Sequence, residues 1–251
     1  MAVKKAVTGI EIDPLKQGRV KLRLIGTTPF YFNSMSLKAK RDLLIGGARK
    51  TAAQKKEIKH NPEAEFRNSV HKLPSGPTLL GFPAPGVKSA MATAALETAG
   101  VTKTSVQRLI FLPTLKVPIW GKPLLKMDVV RSADMNRTPD IRTRAYVEEW
   151  CSEVEIAFVA PTLSVRSVVS LLSNAGVIVG LGDFRQEKGR GNFGTFAVAG
   201  DDLGEFQDHW DRVTAFGRKQ QEAALEAPEF ADEETVELFE LLEDERARRA
   251  A

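Results

Sequence analysis

The residues best suited to chemistry lie between Gly180 and Gly194. There Gly180, Gly182, Gly189, Gly191 and Gly194 interleave with Arg185, Lys188 and Arg190. Glycine lets one backbone approach another closely, and cations placed among glycines pair with phosphate oxygens, so the segment suits a sugar-phosphate chain. It does not close on Gly-Lys-Ser/Thr, and its spacing departs from the dinucleotide fingerprint, so no nucleotide cofactor is expected. The competing reading is a hairpin whose glycines serve turns only. Three further cationic groups stand apart from it: Lys38, Lys40 and Arg41, opening a basic run that reaches Lys59; Arg131, Arg137, Arg142 and Arg144; and Lys21 with Arg23. Each reads as a phosphate clamp or as a solvated face. Phe30, Tyr31, Phe32 and Phe184 lie near these cations and either stack bases or fill the core.

Catalysis and metal binding have weaker support. His60, His71 and His209 are far apart and in no metal-ligand spacing, and Asp183, one carboxylate without close partners, reads as the cap of a turn. Cys151 is the single cysteine, which excludes an intrachain disulfide and a thiolate-rich metal site; in its apolar setting it reads as a small buried hydrophobe. No catalytic residue, metal or cofactor is therefore expected. His60 and His71 stay as the only acid-base candidates should the chain cleave RNA.

Charge points in the same direction. Before Asp201 there are 30 Lys and Arg against 16 Asp and Glu; from Asp201 onward there are 6 against 16. A body so basic attracts polyanions, and a tail so acidic is an electrostatic counterweight. With 43% hydrophobic residues the chain of 251 residues buries a real core. It has no run long and apolar enough to span a bilayer, and Met1 to Val7 lacks the apolar stretch of a secretory signal, so a cytoplasmic protein that does not enter membranes is expected.

These residues must be positioned by an α+β framework. Arg19 to Ile25 alternates apolar and basic residues as a strand; Pro85 to Thr98 is an alanine-rich helix; Arg108 to Leu112 and Leu115 to Trp120 read as strands. Ala145 to Val159 returns as a strand, Ser164 to Asn174 is a helix stopped by Gly176, and Phe193 to Ala199 is the last strand. That order is a ferredoxin-like (RRM-like) βαββαβ core over residues 1–200, with polar insertions at about 34–76 and 121–145. Residues 201–251 form an acidic helical tail, Leu203 to Ala227 and Ala231 to Arg249, either docked by its glutamates over basic surface or packed by its apolar stripe.

The run from Ser173-Asn174-Ala175-Gly176 through Gly180-Leu181-Gly182-Asp183-Phe184-Arg185, Lys188-Gly189 and Phe193-Gly194-Thr195-Phe196, with Thr28-Pro29-Phe30, Asn61-Pro62-Glu63 and Phe66-Arg67, resembles a family of uncharacterised phage-encoded proteins. More distantly, a glycine-rich loop after the second helix of a ferredoxin-like fold is similar to the RAMP superfamily, the RNA-binding proteins of CRISPR effector complexes. That resemblance implies that Gly180, Gly182, Gly189, Gly191, Arg185, Lys188 and Arg190 lie beside nucleic acid; the acidic tail departs from the pattern. The function expected is non-catalytic binding of single-stranded DNA or RNA by its backbone, with a homo-oligomer as a further expectation. The alternatives are an assembly protein that imitates or blocks a host complex, and a RAMP-like metal-independent endoribonuclease.

Overall fold

The computed structural model describes residues 14–46, 58–131, 138–188 and 191–250. The longest alternating run becomes the longest strand: in β1 (Lys16–Gly26), Leu22 and Leu24 point into the core while Lys21 faces out. Around β1 the main sheet assembles with β3 (His71–Lys72), β4 (Leu80–Pro83), β6 (Lys116–Trp120), β9 (Cys151–Ala160) and β10 (Phe196–Ala199), in the order β10-β1-β9-β6-β4-β3. A short β5 (Ile110–Phe111) pairs with the far end of β9, and every pairing is antiparallel.

Two helices lie against each other over one face of this sheet: α3 (Ala84–Ala94) and α5 (Val165–Ile178). The alanines of α3 and Gly176 of α5 make the packing close. A Cβ on Gly176 would meet the carbonyl oxygen of Phe196 at 2.0 Å, so this glycine lies within the helix, and the expected stop there moves on. The helix ends instead at Gly180, whose positive φ of 73° and N–H bond to Ala175 O terminate the last turn.

The region expected as a polar insertion at 121–145 is a second sheet. β7 (Pro123–Arg131) and β8 (Pro139–Val147) form a hairpin, with β2 (Phe30–Tyr31) paired to the end of β8. Leu125, Met127, Ala145 and Val147 alternate onto its inner face and join the main core, where Phe66 of α2 (Pro62–Ser69) is fully buried. The expected strand from Ala145 is thus the end of β8, a turn, and then β9. Of the strand expected from Arg108 to Leu112, Ile110 and Phe111 form β5, while Arg108 and Leu109 are the end of α4 (Lys103–Leu109), which Thr102 and Ser105 start with a reciprocal capping box. Among the described residues of the 34–76 stretch the other helix is α1 (Leu37–Ile45), capped by Ser36.

The tail is three helices: α6 (Gln207–Thr214), α7 (Arg218–Glu226) and α8 (Glu233–Ala250). Residues around α6, including Val213 and Trp210, build a small second core on the other face of the main sheet with Ile25, Trp120 and Cys151. Gln221 of α7 is buried where β4 and β6 part. Its Oε1 accepts from the N–H groups of Leu79 and Leu80, and its Nε2 donates to the carbonyls of Ile119 and Gly121. Before α8, Glu229 to Ala231 hydrogen-bond to Leu125 along the outer edge of β7. Glu229 pairs with Lys122, Asp232 with Lys126, and Arg246 with Glu63, while Leu238 and Phe239 pack on the core; the tail uses both its acids and its apolar stripe. Among the described residues no helix is long and apolar enough to cross a membrane.

Candidate nucleic-acid interface

On the outer face of the hairpin, Arg144 is 2% exposed. Its Nη1 donates to Asp183 at 2.7 Å and its Nη2 to Asp128 at 2.9 Å, and the guanidinium lies 4.3 Å from the ring of Phe184 and 4.9 Å from that of Tyr31. Two carboxylates take its two Nη groups and two aromatic rings lie against its guanidinium. Arg144 is therefore a buried strut, which corrects its expected contact with phosphate. Tyr31 belongs to the same knot: burial first, then Asp128, pushes its phenol far above the ordinary range. Phe30 and Phe32 are core residues, and so is Tyr31, so these aromatics are closed to base stacking.

Arg144 also anchors the glycine-rich segment, because Asp183 accepts from Asn33 at 2.9 Å and its N–H donates to Tyr31 O. Asp183 thus ties a loop to a hairpin, beyond the turn-capping role expected. The segment is folded onto the body. Gly180 stops α5; a Cβ on Gly182 would meet Tyr31 O at 2.6 Å; one on Gly191 would lie 1.5 Å from Phe184 O. Gly180 and Gly191 are buried, so the expectation that they lie open beside a ligand is corrected: their lack of a side chain lets the loop close on itself. Phe184 adopts a positive φ of 51°, strained for a bulky residue and held by its contacts with Arg144, Tyr31 and Phe193. Arg185 pairs with Glu187 at 3.3 Å and is partly exposed. Gly189, Arg190 and Arg137 lie outside the described residues, as do the side chains of Lys38 and Lys188.

Lys21 and Arg23 face outward from β1, but not over a bare cationic surface. Their partners in register on β9 are Glu155 and Glu153, Arg19 pairs with Glu155 at 3.2 Å, and Arg23 donates to Asp201 O while covering the ring of Trp210. These two cations stand apart from the rest, and Arg23 is largely committed to holding the tail.

Of the remaining cations, Arg142 borders a cleft. Phe32 N–H bonds Ala145 O, and the chain then turns away, with Ser34 N–H on Ser69 O. The edge of β8 from Asp140 to Arg144 is left facing a cleft of about 470 Å³, whose opposite wall is Asn33 to Ser36, Ala39, His60 and Glu65. Arg142 is exposed on the rim; Lys40 and Arg41 are exposed on α1, whose cap lines the cleft. Arg131, also exposed, marks the end of β7 near the hairpin tip. None of these four forms an ion pair among the described residues. Lys59 bonds Asp140, and His60 sits between Glu65 at 3.1 Å and Asp140 at 3.2 Å. Partial burial opposes ionisation of Asp140, yet Lys59 and then His60 hold its carboxyl below the usual range.

With a carboxylate on each ring nitrogen, His60 is placed as a member of an ionic cluster. His71 is elsewhere, on β3, where burial and then Lys116 and Lys40 depress its pKa. Cys151 is buried, and burial together with Glu149 pushes its thiol up to about 12. Among the described residues no group of three His, Cys, Asp or Glu side chains is arranged to hold a metal ion. Sequence reasoning named Lys40, Arg41, Arg131 and Arg142, and missed Asn33, Glu65, Asp140 and Thr143. The one local signal for that neighbourhood was Asn61-Pro62, a helix start that fixes where His60 and Glu65 fall. Searches of the chain against protein-family models and against curated proteins found no match.

Proposed function

We propose that the chain is a non-catalytic binder of single-stranded DNA or RNA that grips the phosphate backbone at the cleft between β8 and α1. The observation carrying this reading is that Arg142 lies exposed at a cleft, that Lys40 and Arg41 are exposed on the helix whose cap lines it, and that none of the three forms an ion pair among the described residues. Exposed cations without internal partners exchange solvent and counterions for phosphates at little desolvation cost. The buried Arg144 knot gives this side of the molecule a fixed wall, so that the cations project from strands and helix rather than from loose chain. The excess of 30 basic over 16 acidic residues before Asp201 supplies the long-range attraction. Contacts of this kind address phosphates more than bases, so sequence preference is low.

The framework supports a finer reading. The path β10-β1-β9-β6 is antiparallel throughout, and α3 and α5 share one face, the order and layering of a ferredoxin-like βαββαβ core extended by β3 to β5 and by the hairpin sheet. We read the chain as such a core, RAMP-like and phage-related, working in the cytoplasm of a host and able to line up as a homo-oligomer along a strand.

Fluorescence anisotropy with labelled oligothymidylate and oligouridylate tests the function. Arg142→Ala combined with Lys40→Ala and Arg41→Ala should weaken binding by at least tenfold. It should also flatten the dependence of log affinity on log salt by about 0.7 for each phosphate no longer neutralised. Equal affinity and equal slope for wild type and variant, or no binding by wild type, would overturn the reading.

A further inference from the structure

The histidine of the cleft sits in an arrangement that one of its charge states satisfies and the other does not. His60 Nδ1 lies 3.1 Å from Glu65 Oε1 and its Nε2 lies 3.2 Å from Asp140 Oδ1. With its side chain 23% exposed, the ring has little water to turn to instead. A neutral imidazole offers one N–H and one bare lone pair, whereas a carboxylate only accepts. Both contacts are hydrogen bonds when both ring nitrogens carry a proton. A proton on either acid is the alternative, and the surroundings oppose it: Lys59 and His60 hold Asp140 below the usual carboxylate range, and the oxygen of Glu65 that faces the ring already accepts from the N–H of Asn61. The geometry is that of an imidazolium.

The charged groups around His60 come from each neighbouring element. Lys59 precedes it and bonds Asp140. From α2 comes Glu65, while Glu63 is engaged by Arg246 of α8. From β8 come Asp140, the exposed Arg142, and Arg144, which is committed to Asp128 and Asp183; α1 presents Ser36 and Ala39. With the ring charged, Lys59 and His60 balance Glu65 and Asp140; with the ring neutral, one carboxylate has no counterion within the cluster.

Loss of the proton has a preferred side. Asp140 Oδ1 keeps two other donors, Lys59 Nζ and the N–H of Ile141, whereas Glu65 Oε1 keeps, among the described residues, the N–H of Asn61 at 3.3 Å. The remaining ring proton therefore does more at Nδ1, facing Glu65, and Nε2 turns a lone pair toward Asp140. That contact becomes repulsive, and Lys59 alone then ties the chain ahead of α2 to the start of β8.

We propose that His60 is a proton-operated latch on the cleft. Charged, it joins the start of α2 to the edge of β8 and balances the two carboxylates; neutral, it releases Asp140 and leaves the wall beside Arg142 one negative charge in excess. Resting on the reading of the chain as a nucleic-acid binder, this makes the grip on a phosphate backbone tighter on the acid side of the histidine's titration and weaker on the alkaline side.

The test uses the full chain between about pH 5 and pH 8, the range in which histidines change charge. Nitrogen-15 spectra of the wild-type imidazole should show both His60 nitrogens as N–H at the acid end and Nδ1 alone at the other. The amide resonance of Ile141, whose N–H bonds the released carboxylate, should move with the same midpoint. This reading needs no variant. In parallel, labelled oligothymidylate, whose own charge is constant over this range, should bind about three- to fivefold more weakly at the alkaline end, the range for one partly screened charge. His60→Gln, neutral throughout, should remove that part of the pH dependence and bind at acid pH as wild type does at alkaline pH. A His60 ring that keeps a single proton across the range, with Ile141 unmoved, would overturn the latch. So would an affinity whose pH dependence is the same in wild type and H60Q, by removing its control over binding. A ring titration followed by Ile141, with no oligonucleotide bound by wild type at any pH, would overturn the nucleic-acid reading and leave the latch standing.

Discussion

Arg144 and Asp183, 39 residues apart in the chain, meet through a 2.7 Å hydrogen bond from Nη1 to Oδ2 that fixes the glycine-rich segment to the middle of the hairpin sheet. Because Asp128 takes the other side of the same guanidinium, one buried cation joins three parts of the molecule.

Arg144→Ala removes the buried cation that Asp128 and Asp183 share. The expected loss is about 3–5 kcal/mol of unfolding free energy, the range for breaking a buried pair by removing one partner, read from urea denaturation. Arg144→Lys should recover only part of it, since an ammonium cannot fork between Asp128 and Asp183 while stacking on Phe184. A variant as stable as wild type would show that the knot is not what holds the segment in place.

Gln221→Ala strips hydrogen-bond partners from two N–H groups and two carbonyls where β4 and β6 part. At ~1–3 kcal/mol for each buried group left unpaired, partly relieved by water, a loss of roughly 3 kcal/mol or more is expected. Hydrogen exchange should localise it, with faster exchange at Leu79 and Leu80; unchanged protection there would contradict the assignment.

Burial with Lys116 and Lys40 nearby holds the pKa of His71 below its ordinary value. The unfolded chain therefore binds a proton that the folded chain refuses. The stability contributed by neutral His71 is complete above about pH 6.5 and is lost as the pH falls from there toward the depressed folded value. His71→Gln should flatten the rise of melting temperature between about pH 5 and pH 7. A rise of the same steepness in the variant would assign it to another group.

Asp232 is held below the usual carboxylate range, burial opposing and Lys126 and Thr235 prevailing; Glu63 is lowered likewise against burial by Arg246. Both depressed acids contribute stability that is present above about pH 4 and fades as the pH drops through their folded values. Since both fasten α8 to the body, limited proteolysis should release a C-terminal fragment more readily at about pH 3.5 than at about pH 6, and Asp232→Asn should narrow that difference. Equal cleavage at the two values would remove these pairs as the fastening.

The glycine-rich segment calls for its own test. Arg185→Ala with Lys188→Ala should weaken oligonucleotide binding and its salt dependence less than the rim variants do, because Arg185 already shares its charge with Glu187. An effect larger than that of R142A would move the centre of the interface to the loop.

Much of the framework is legible in residues alone. The alternation in Arg19 to Ile25 predicts β1, and the small residues from Ala84 onward predict a closely packed helix. The hairpin is harder to see because Lys126, Asp128, Arg142 and Arg144 draw attention as charges, although each alternates with Leu125, Met127, Ile141, Thr143 or Ala145 and occupies one face of a strand. Charge alone also cannot separate Arg142 from Arg144: two positions apart on one strand, one is exposed and the other is enclosed by partners drawn from Tyr31, Asp128, Asp183 and Phe184. The glycines announce that something must come close; that it is the chain's own carbonyls at Tyr31 and Phe184 depends on tertiary contacts that no local pattern encodes.

The position of Gln221 has a further consequence for how the molecule is made. Leu79 is translated 142 residues before the side chain that accepts its N–H. A growing polypeptide can pair most of its strands long before then, but the junction of β4 and β6 stays open and thirsty for hydrogen bonds until α7 leaves the ribosome. The docking of α7 is thereby a late inspection of the sheet, since a junction misaligned there would offer it no place to insert.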